Sequence, residues 1–574
     1  MGAIRFRLGS ALALAWMAWA MSMAAPAARA GSPPLSDAPP VWEADDRGDM
    51  PMPKVRDPNL LRDGIDESFF DPIGRFFNPS RLIRKAGTPF GADHVAAAAN
   101  VNSVDEVPNS SWFTNRIGIR PMAPEEVGRG PTQGEGPDRS APWTVTSAKT
   151  QGVTPGFNIK DSRGQTYLIK FDPPCCPGMT ISAGVISGKL FHSAGYNVPE
   201  DFVVQFRRED LVLGDKVRIT DLDGKKRAMT VEDLDQIMAR VTAEPDGSWR
   251  AIASKFLPGK PVGPFDWDGR RGDDPFDTVR HDNRRELRGL RVIAAWLNHF
   301  DTKQLNTLDM YVEENGKHHI RHNLIDFAST LGASATGPYP LANYEYVFDA
   351  PASLGRAASL GFYQSPWERI QRPAGLDEVG YLESKEFQPD KWKPLDPNAT
   401  FANLTDRDGY WAAKIVSAFT EADIDAAVAA GHYKNPDAAS YVARMLKERR
   451  DKVARHWFDR VAPLDFFTVE GGTLRLHDLG AERGVYPGAA SRYRFRVAAV
   501  RADRGGAGWS AWAEAPEPAF DLAGAEGRDP IRVSAASERP FLAVEAQVSR
   551  GGGWSPPVTV YIGRDSRRVV ALSR

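Results

Sequence analysis

An α+β chain is predicted, with a strand-rich first part, a helical second part and an all-β end. Three observations carry that prediction. Residues 143–172 alternate apolar and polar positions with period two around glycine turns. From Arg284 apolar residues return at helical spacing, as in "RRELRGLRVIAAWLNHF". From Phe466 the pattern reverts to short strand-like runs between Gly and Pro turns.

The first residues read as an export signal. Arg5 and Arg7 precede the apolar run "ALALAWMAWAMSMAA", and Ala28-Arg29-Ala30 offers a small-x-small cleavage site. A signal peptide over residues 1–30 implies a periplasmic or extracellular protein with no membrane span after cleavage. Residues 31–85, rich in Pro and Asp at their start, read as a linker and N-terminal extension. The main domain is expected over 86–465, β-rich to about 260 and helical after it. A sandwich-like all-β domain is expected over 466–574.

Within the main domain, "GFNIKDSRGQTYLIKFD" gives two strands around the turn Asp161–Gly164, with Lys170 near the end of the second. A helix follows in "TISAGVISGKLFHSAG", stopped by Gly195, and then the strand "DFVVQF". Residues 207–230 suggest a hairpin, and Thr230 caps the short helix "TVEDLDQIMARV". Pro258 to Phe265 reads as a Pro/Gly hinge between a sheet of about five strands and the helical part. Thr420 and Asp423 form a capping pair for a later helix.

Bulk composition excludes several classes. The balance of 72 basic and 74 acidic residues gives a net charge of −2, which argues against a nucleic-acid binder or a polybasic membrane-surface protein. Only two cysteines occur, the adjacent Cys175 and Cys176, too few for a disulfide framework or a structural zinc site. His318, His319 and His322 fall on one strand with His319 on the opposite face, so one ion cannot collect them. The stretch "RHDNRRELRG", Arg280 to Gly289, reads either as an anion site or as a solvated helix start.

The chemistry sits in "NHFDTKQLNTL", which contains His299-x-Asp301-x4-Asn306, and in "NLIDFAS", which contains Asp326-Phe327-Ala328. Phosphoryl transfer needs few parts: a lysine for the phosphates, a covering loop, an Asp to accept a hydroxyl proton, and oxygen ligands for metal. Lys170, His299-x-Asp301-x4-Asn306 and Asp326-Phe327 supply these in order. On those motifs the chain resembles the protein-kinase-like superfamily, in its divergent branches of HipA-type, CotH-type and lipid-kinase-like proteins. By order of elements the resemblance covers about residues 140–465.

The resemblance implies a two-lobed kinase-like domain. It implies that Lys170, with Gly152 and Gly156 of the covering loop, contacts nucleotide phosphates. It implies Asp301 as catalytic base, His299 as the residue fixing its loop, and Asn306 and Asp326 as ligands of Mg²⁺ or Mn²⁺ bound with ATP or another nucleotide. The acceptor would be a hydroxyl on a protein, lipid or glycan.

The departures are specific. The helix after Lys170 carries no acid to pair with it, and Gly184 or a neighbour takes the expected place; a Glu introduced there is expected to strengthen nucleotide binding. Ala328 stands where the pattern has Gly, and Gly152 and Gly156 form only part of a glycine loop. A degenerate kinase fold used as an envelope or extracellular binding module is therefore the alternative.

Overall fold

The computed structural model of the chain describes residues 33–56, 95–149, 156–220, 226–340, 344–347, 349–359, 362, 364–506, 508–526 and 538–574. The expected signal peptide and Gly152 lie outside the described residues.

The first body is a six-stranded sheet in the order β4-β8-β3-β2-β1-β5. Its strands are β1 (Trp143–Lys149), β2 (Gly156–Lys160), β3 (Thr166–Lys170), β4 (Asp201–Phe206), β5 (Leu211–Leu213) and β8 (Trp249–Lys255). The sixth strand, beyond the five expected, is β5, which pairs parallel to β1 with Trp143 opposite Leu211. The hairpin of β6 (Arg218–Thr220) and β7 (Lys226–Ala228) stands apart as its own two-stranded sheet.

Period-two alternation gives the sheet two working faces. One face buries Phe157, Ile159, Ile169 and Phe206 together with Leu234 of helix α2 (Val231–Met238). On the other face Ile252 packs against Ile181 and Val185 of helix α1 (Met179–Ala194).

Helix α1 is buried on nearly every side, with His192 the one residue of its 16 that is not fully buried. A helix buried on all sides lies inside a core, and its polar side chains are bonded there, as Ser182 Oγ to Gly431 O (2.8 Å) and Ser187 Oγ to Thr330 Oγ1 (2.8 Å). Its second face enters the main hydrophobic core through Ile186, Leu190 and Phe191. Asp172 holds its first turn, accepting from Gly178 N (2.7 Å), Thr180 N (2.8 Å) and Ile181 N (3.0 Å). Gly195, at φ 129°, ends it.

That core is otherwise helical. It gathers α3 (Arg285–Leu297), α4 (Asp406–Ala418), α5 (Glu421–Ala429) and α6 (Pro436–Phe458) around Trp296, Trp411 and Leu446. Thr405 with Asp408, and Thr420 with Asp423, form capping boxes at the starts of α4 and α5.

Arg280 is exposed beside Asp282 (3.0 Å), but the other three arginines of the Arg280–Gly289 stretch are buried and form neither an anion site nor a solvated helix start. Arg285 bonds Asp105 (2.7 Å) and Asp408 (3.1 Å), and Arg288 reaches Asp408 (3.4 Å), all within the interior. They are internal clamps between α3 and α4.

The expected hinge at Pro258–Phe265 instead contains β9 (Lys260–Gly263), the edge of a three-stranded sheet with β10 (Thr307–Glu314) and β11 (Lys317–Leu324). Two short strands, β12 (Ala333–Ser334) and β13 (Gly337–Pro338), follow. Residues 33–56 of the expected linker are extended but pinned to the body. Leu35 N bonds Ala502 O (2.8 Å), Ala44 N bonds Asn109 O (2.8 Å), Met50 N bonds His318 O (2.9 Å) and Arg56 N bonds Val262 O (3.1 Å).

The C-terminal part contains two sheets. One orders β14 (Leu464–Glu470), β15 (Thr473–Asp478) and β18 (Ala519–Asp521). The other orders β17 (Ala513–Ala515), β16 (Arg492–Val500), β19 (Phe541–Ser549), β20 (Val558–Gly563) and β21 (Val569–Ser573). They share a core of Leu464, Leu474, Phe495, Val544 and Val560. Helical turns at Leu479–Glu482 and Leu522–Glu526 make this part strand-dominated rather than all-β. Among the described residues, no helix is long and apolar enough to cross a membrane.

Candidate functional site

The site begins where α3 ends. Asn298 takes a left-handed conformation (φ 51°), and His299 N returns to Ala294 O at 2.8 Å. This cap turns the chain sharply out of the helix, and Asn tolerates the conformation better than most residues. The next residues cannot continue the helix and form a loop ending in the short turn Gln304–Asn306.

His299 is buried. Its Nδ1 faces Ser329 O at 3.3 Å, and its ring lies 5.7 Å from Phe327 and 5.6 Å from Phe191 of α1. Burial lowers its pKa, against the smaller opposing pull of Ser329, Asp301 and Asp326, and the ring serves as a packed spacer. It joins the Asp301 loop, the Asp326 loop and α1 in one packed unit.

Asn306 and Asp326 are brought together by pairing. The β10–β11 hairpin matches Thr307 with Leu324 at its base, so Asn306 precedes one strand as Asp326 follows the other. Ile325 N also bonds Asn306 O at 3.0 Å. The Asn306 side chain donates Nδ2 to Asp301 O at 2.7 Å, which leaves its amide oxygen as an acceptor.

Asp326 has φ 61°, an uncommon conformation for a residue with a side chain and one associated with sites. Its Oδ1 lies 3.1 Å from Lys170 Nζ, with the two side chains 42% and 29% exposed. Lys170 is the last residue of β3 and pairs with Gly156 across the sheet. A Cβ at Gly156 would meet Ile169 O at 2.7 Å, so that strand passes too close for a side chain.

Asp301 is largely enclosed, with a side chain 16% exposed. Lys303 Nζ donates to its Oδ2 at 3.2 Å. Its Oδ1 lies 3.1 Å from the same ammonium but accepts no hydrogen bond. The ammonium offsets the carboxylate charge while Oδ1 keeps lone pairs for a further donor.

Lys170, Asp301, Asn306 and Asp326 thus lie around one locus, with His299 behind them. Of the glycine-loop pair, Gly156 lies opposite Lys170. Two residues had escaped sequence reasoning. Lys303 stands two places after Asp301, and that short spacing was its signal. Asp201, at the start of β4, is a buried carboxylate whose pKa burial raises to about 6; nothing local marked it.

The fit to a metal can be judged from the donors. Asp326 offers a carboxylate and Asn306 an amide oxygen, both hard ligands suited to Mg²⁺ or Mn²⁺. Among the described residues no group of three or more His, Cys, Asp or Glu could hold an ion unaided. Such sites suit Mg²⁺, which keeps waters and takes substrate phosphates in its shell.

No family model and no curated protein matches the chain. Solved structures that resemble part of it include two kinases. The Helicobacter pylori proinflammatory kinase CtkA is 10% identical with a TM-score of 0.25, over 57% of this chain and 98% of that one. The golgi casein kinase is 8% identical with a TM-score of 0.27, over 56% of this chain and 74% of that one. At these scores the likeness is one of outline and carries no weight for fold or mechanism.

Proposed function

We propose that this chain is an exported, kinase-like phosphotransferase. It would move a phosphoryl or nucleotidyl group from a nucleotide bound with Mg²⁺ or Mn²⁺ to a hydroxyl of a protein, lipid or glycan. The observation that carries the reading is Asp301 Oδ1: a carboxylate oxygen ion-paired with Lys303 (3.1 Å) but accepting no hydrogen bond, in the loop that Asn306 closes and beside the Lys170–Asp326 pair.

Each residue then has a physical task. Asp326 and the Asn306 amide oxygen would hold the ion, which would neutralise phosphate charge. Lys170 and Lys303 bring ammonium groups to the same region, suited to phosphate oxygens. Asp301 accepts the proton of the attacking hydroxyl through Oδ1, while Lys303 donates to its Oδ2. His299 fixes the loop.

A second reading has its own observation. The helix facing Lys170 presents Gly184 and Gly188 where an acid is expected, as a nucleotide-independent binding module could. Calorimetric titration of the full chain with Mg²⁺ and ATP or other nucleotides separates the two. Wild type should bind in a metal-dependent way, and Asp326→Ala should lose that binding. Asp301→Asn should keep binding and lower transfer by about 10²–10⁴-fold, the usual contribution of a general base. If wild type binds no nucleotide, the binding-module reading replaces this one. If Asp326→Ala binds as wild type does, the ion sits elsewhere.

A further inference from the structure

We infer that Asp201 is the acidic positioning partner of Lys170, supplied by strand β4 in place of the helix. The inference rests on the phosphotransferase reading of the site.

The sheet register carries the argument. Lys170 pairs with Ile252 on β8, and Ile252 pairs with Val203 on β4. Leu168 pairs with Ser254, and Ser254 with Asp201. Paired residues share a face, and so do residues two apart along a strand. Lys170, Ile252, Ser254 and Asp201 therefore project from one face, the face covered by α1 through Ile181 and Val185. Two strand spacings across and two residues along separate the Lys170 and Asp201 Cα atoms by about 12 Å. A lysine and an aspartate leaning toward one another can close that gap.

Opposite this face α1 carries no acid. A Cβ at Gly184 would stand 3.5 Å from Ile252 Cδ1 and 3.8 Å from Ala328 N. A Cβ at Gly188 would stand 3.5 Å from Asp201 Oδ2 and 3.6 Å from Phe327 Cδ2. At both positions a Cβ would be in ordinary contact, so the Asp326-Phe327-Ala328 loop and the Asp201 carboxylate lie along the same face of the helix. Asp326 of that loop holds Lys170 Nζ through its Oδ1 at 3.1 Å.

The surroundings fit an anion held for a cation. Ser254 Oγ donates to Asp201 Oδ1. Burial raises the Asp201 pKa to about 6, opposed by Ser254, Lys170 and Lys189, with Asp326 adding to the rise. The competing role is structural: Lys189 Nζ reaches Asp201 O at 3.4 Å, so Asp201 could simply balance that buried ammonium.

A double-mutant cycle on Mg²⁺-ATP affinity in the full chain decides between them. Asp201→Asn and Lys170→Met should each weaken binding by roughly 10-fold, and the double variant should be no weaker than Lys170→Met alone. Ser254→Ala, which keeps the carboxylate and perturbs folding less, should weaken binding in the same direction and lose that effect in the Lys170→Met background. Additive losses, or wild-type affinity in Asp201→Asn, overturn the inference while the site reading stands. Restoration of wild-type affinity by Lys189→Met in the Asp201→Asn background overturns it in favour of charge balance. Failure of wild type to bind any Mg²⁺-nucleotide overturns the site reading and this inference with it.

Discussion

Replacing Arg574 by Met should loosen the joint between the C-terminal strands and the helical core. The Arg574 side chain is 2% exposed. Its Nη2 lies 2.9 Å from Asp465 Oδ2, its Nε 3.6 Å from Asp105 Oδ2, and its Nη1 donates to Leu464 O at 2.9 Å. The guanidinium covers the Tyr410 ring at 4.3 Å. Burial opposes its charge, yet Asp465, Tyr410 and Asp105 hold its pKa above the ordinary value. Removing one partner of a buried pair costs about 3–5 kcal/mol. Here Asp465 would keep Lys414 (3.3 Å) and the Tyr410 hydroxyl (2.9 Å), and Asp105 would keep Arg285 and Arg407, each at 2.7 Å. The loss should fall at the low end, about 3 kcal/mol. With a urea slope of about 3 kcal/mol/M, the midpoint of the transition that exposes this joint should drop by about 1 M. Tryptophan fluorescence in urea reads it, and Arg574→Lys should fall between the two because an ammonium cannot fork across the same acceptors. A wild-type midpoint in Arg574→Met would mean that this guanidinium is not enclosed among those carboxylates.

Gly184→Glu should weaken both folding and nucleotide binding rather than strengthen binding. A Cβ fits there, but a buried carboxylate would lie against Ile252 and the Phe327–Ala328 backbone. Overpacking and charge burial together should cost about 3 kcal/mol or more, read by thermal melting, whereas Gly184→Ala should be neutral or stabilising by up to about 1 kcal/mol. His192 gives a pH test. Burial, then Arg116 and Lys189, lowers its pKa from 6.5 to about 3. Between those values the unfolded chain holds a proton that the folded chain does not. Stability should therefore fall as pH drops from about 6.5 toward about 3, by at most about 1.4 kcal/mol per unit. His192→Asn should flatten that part of the curve in denaturant melts; an unchanged slope would count against a neutral buried ring.

Much of the local structure could be read from the chain. The helix stopped at Gly195, the capping pair Thr420–Asp423 and the strand ending at Lys170 follow from capping chemistry and periodicity, which act within a few residues. What escaped was non-local. Nothing near Leu211 says that it will pair parallel to Trp143, because parallel pairing depends on distant chain. Arg285 and Arg288 looked solvent-facing because their partners, Asp105 and Asp408, lie more than a hundred residues away. Pro258–Phe265 looked like a bare connector because its ladder partner, β10, lies beyond an entire helix. In the site, the polar spacing of "NHFDTKQLNTL" marked the loop, while Asp201 was invisible since its setting arises only when β4, β8 and α1 meet.

The β10–β11 hairpin has a consequence for how this site tolerates change. Asn306 and Asp326 stand at its open end, and its turn at Asn315–Gly316 points away from them. Extending both strands by two residues each would preserve which side chains face inward and leave the open end untouched. A change of one residue in one arm would flip every side chain between there and the base. The gap between the two motifs is therefore elastic in even steps and brittle in odd ones, so distant kin should be sought by the pairing of the two ends and not by a fixed interval.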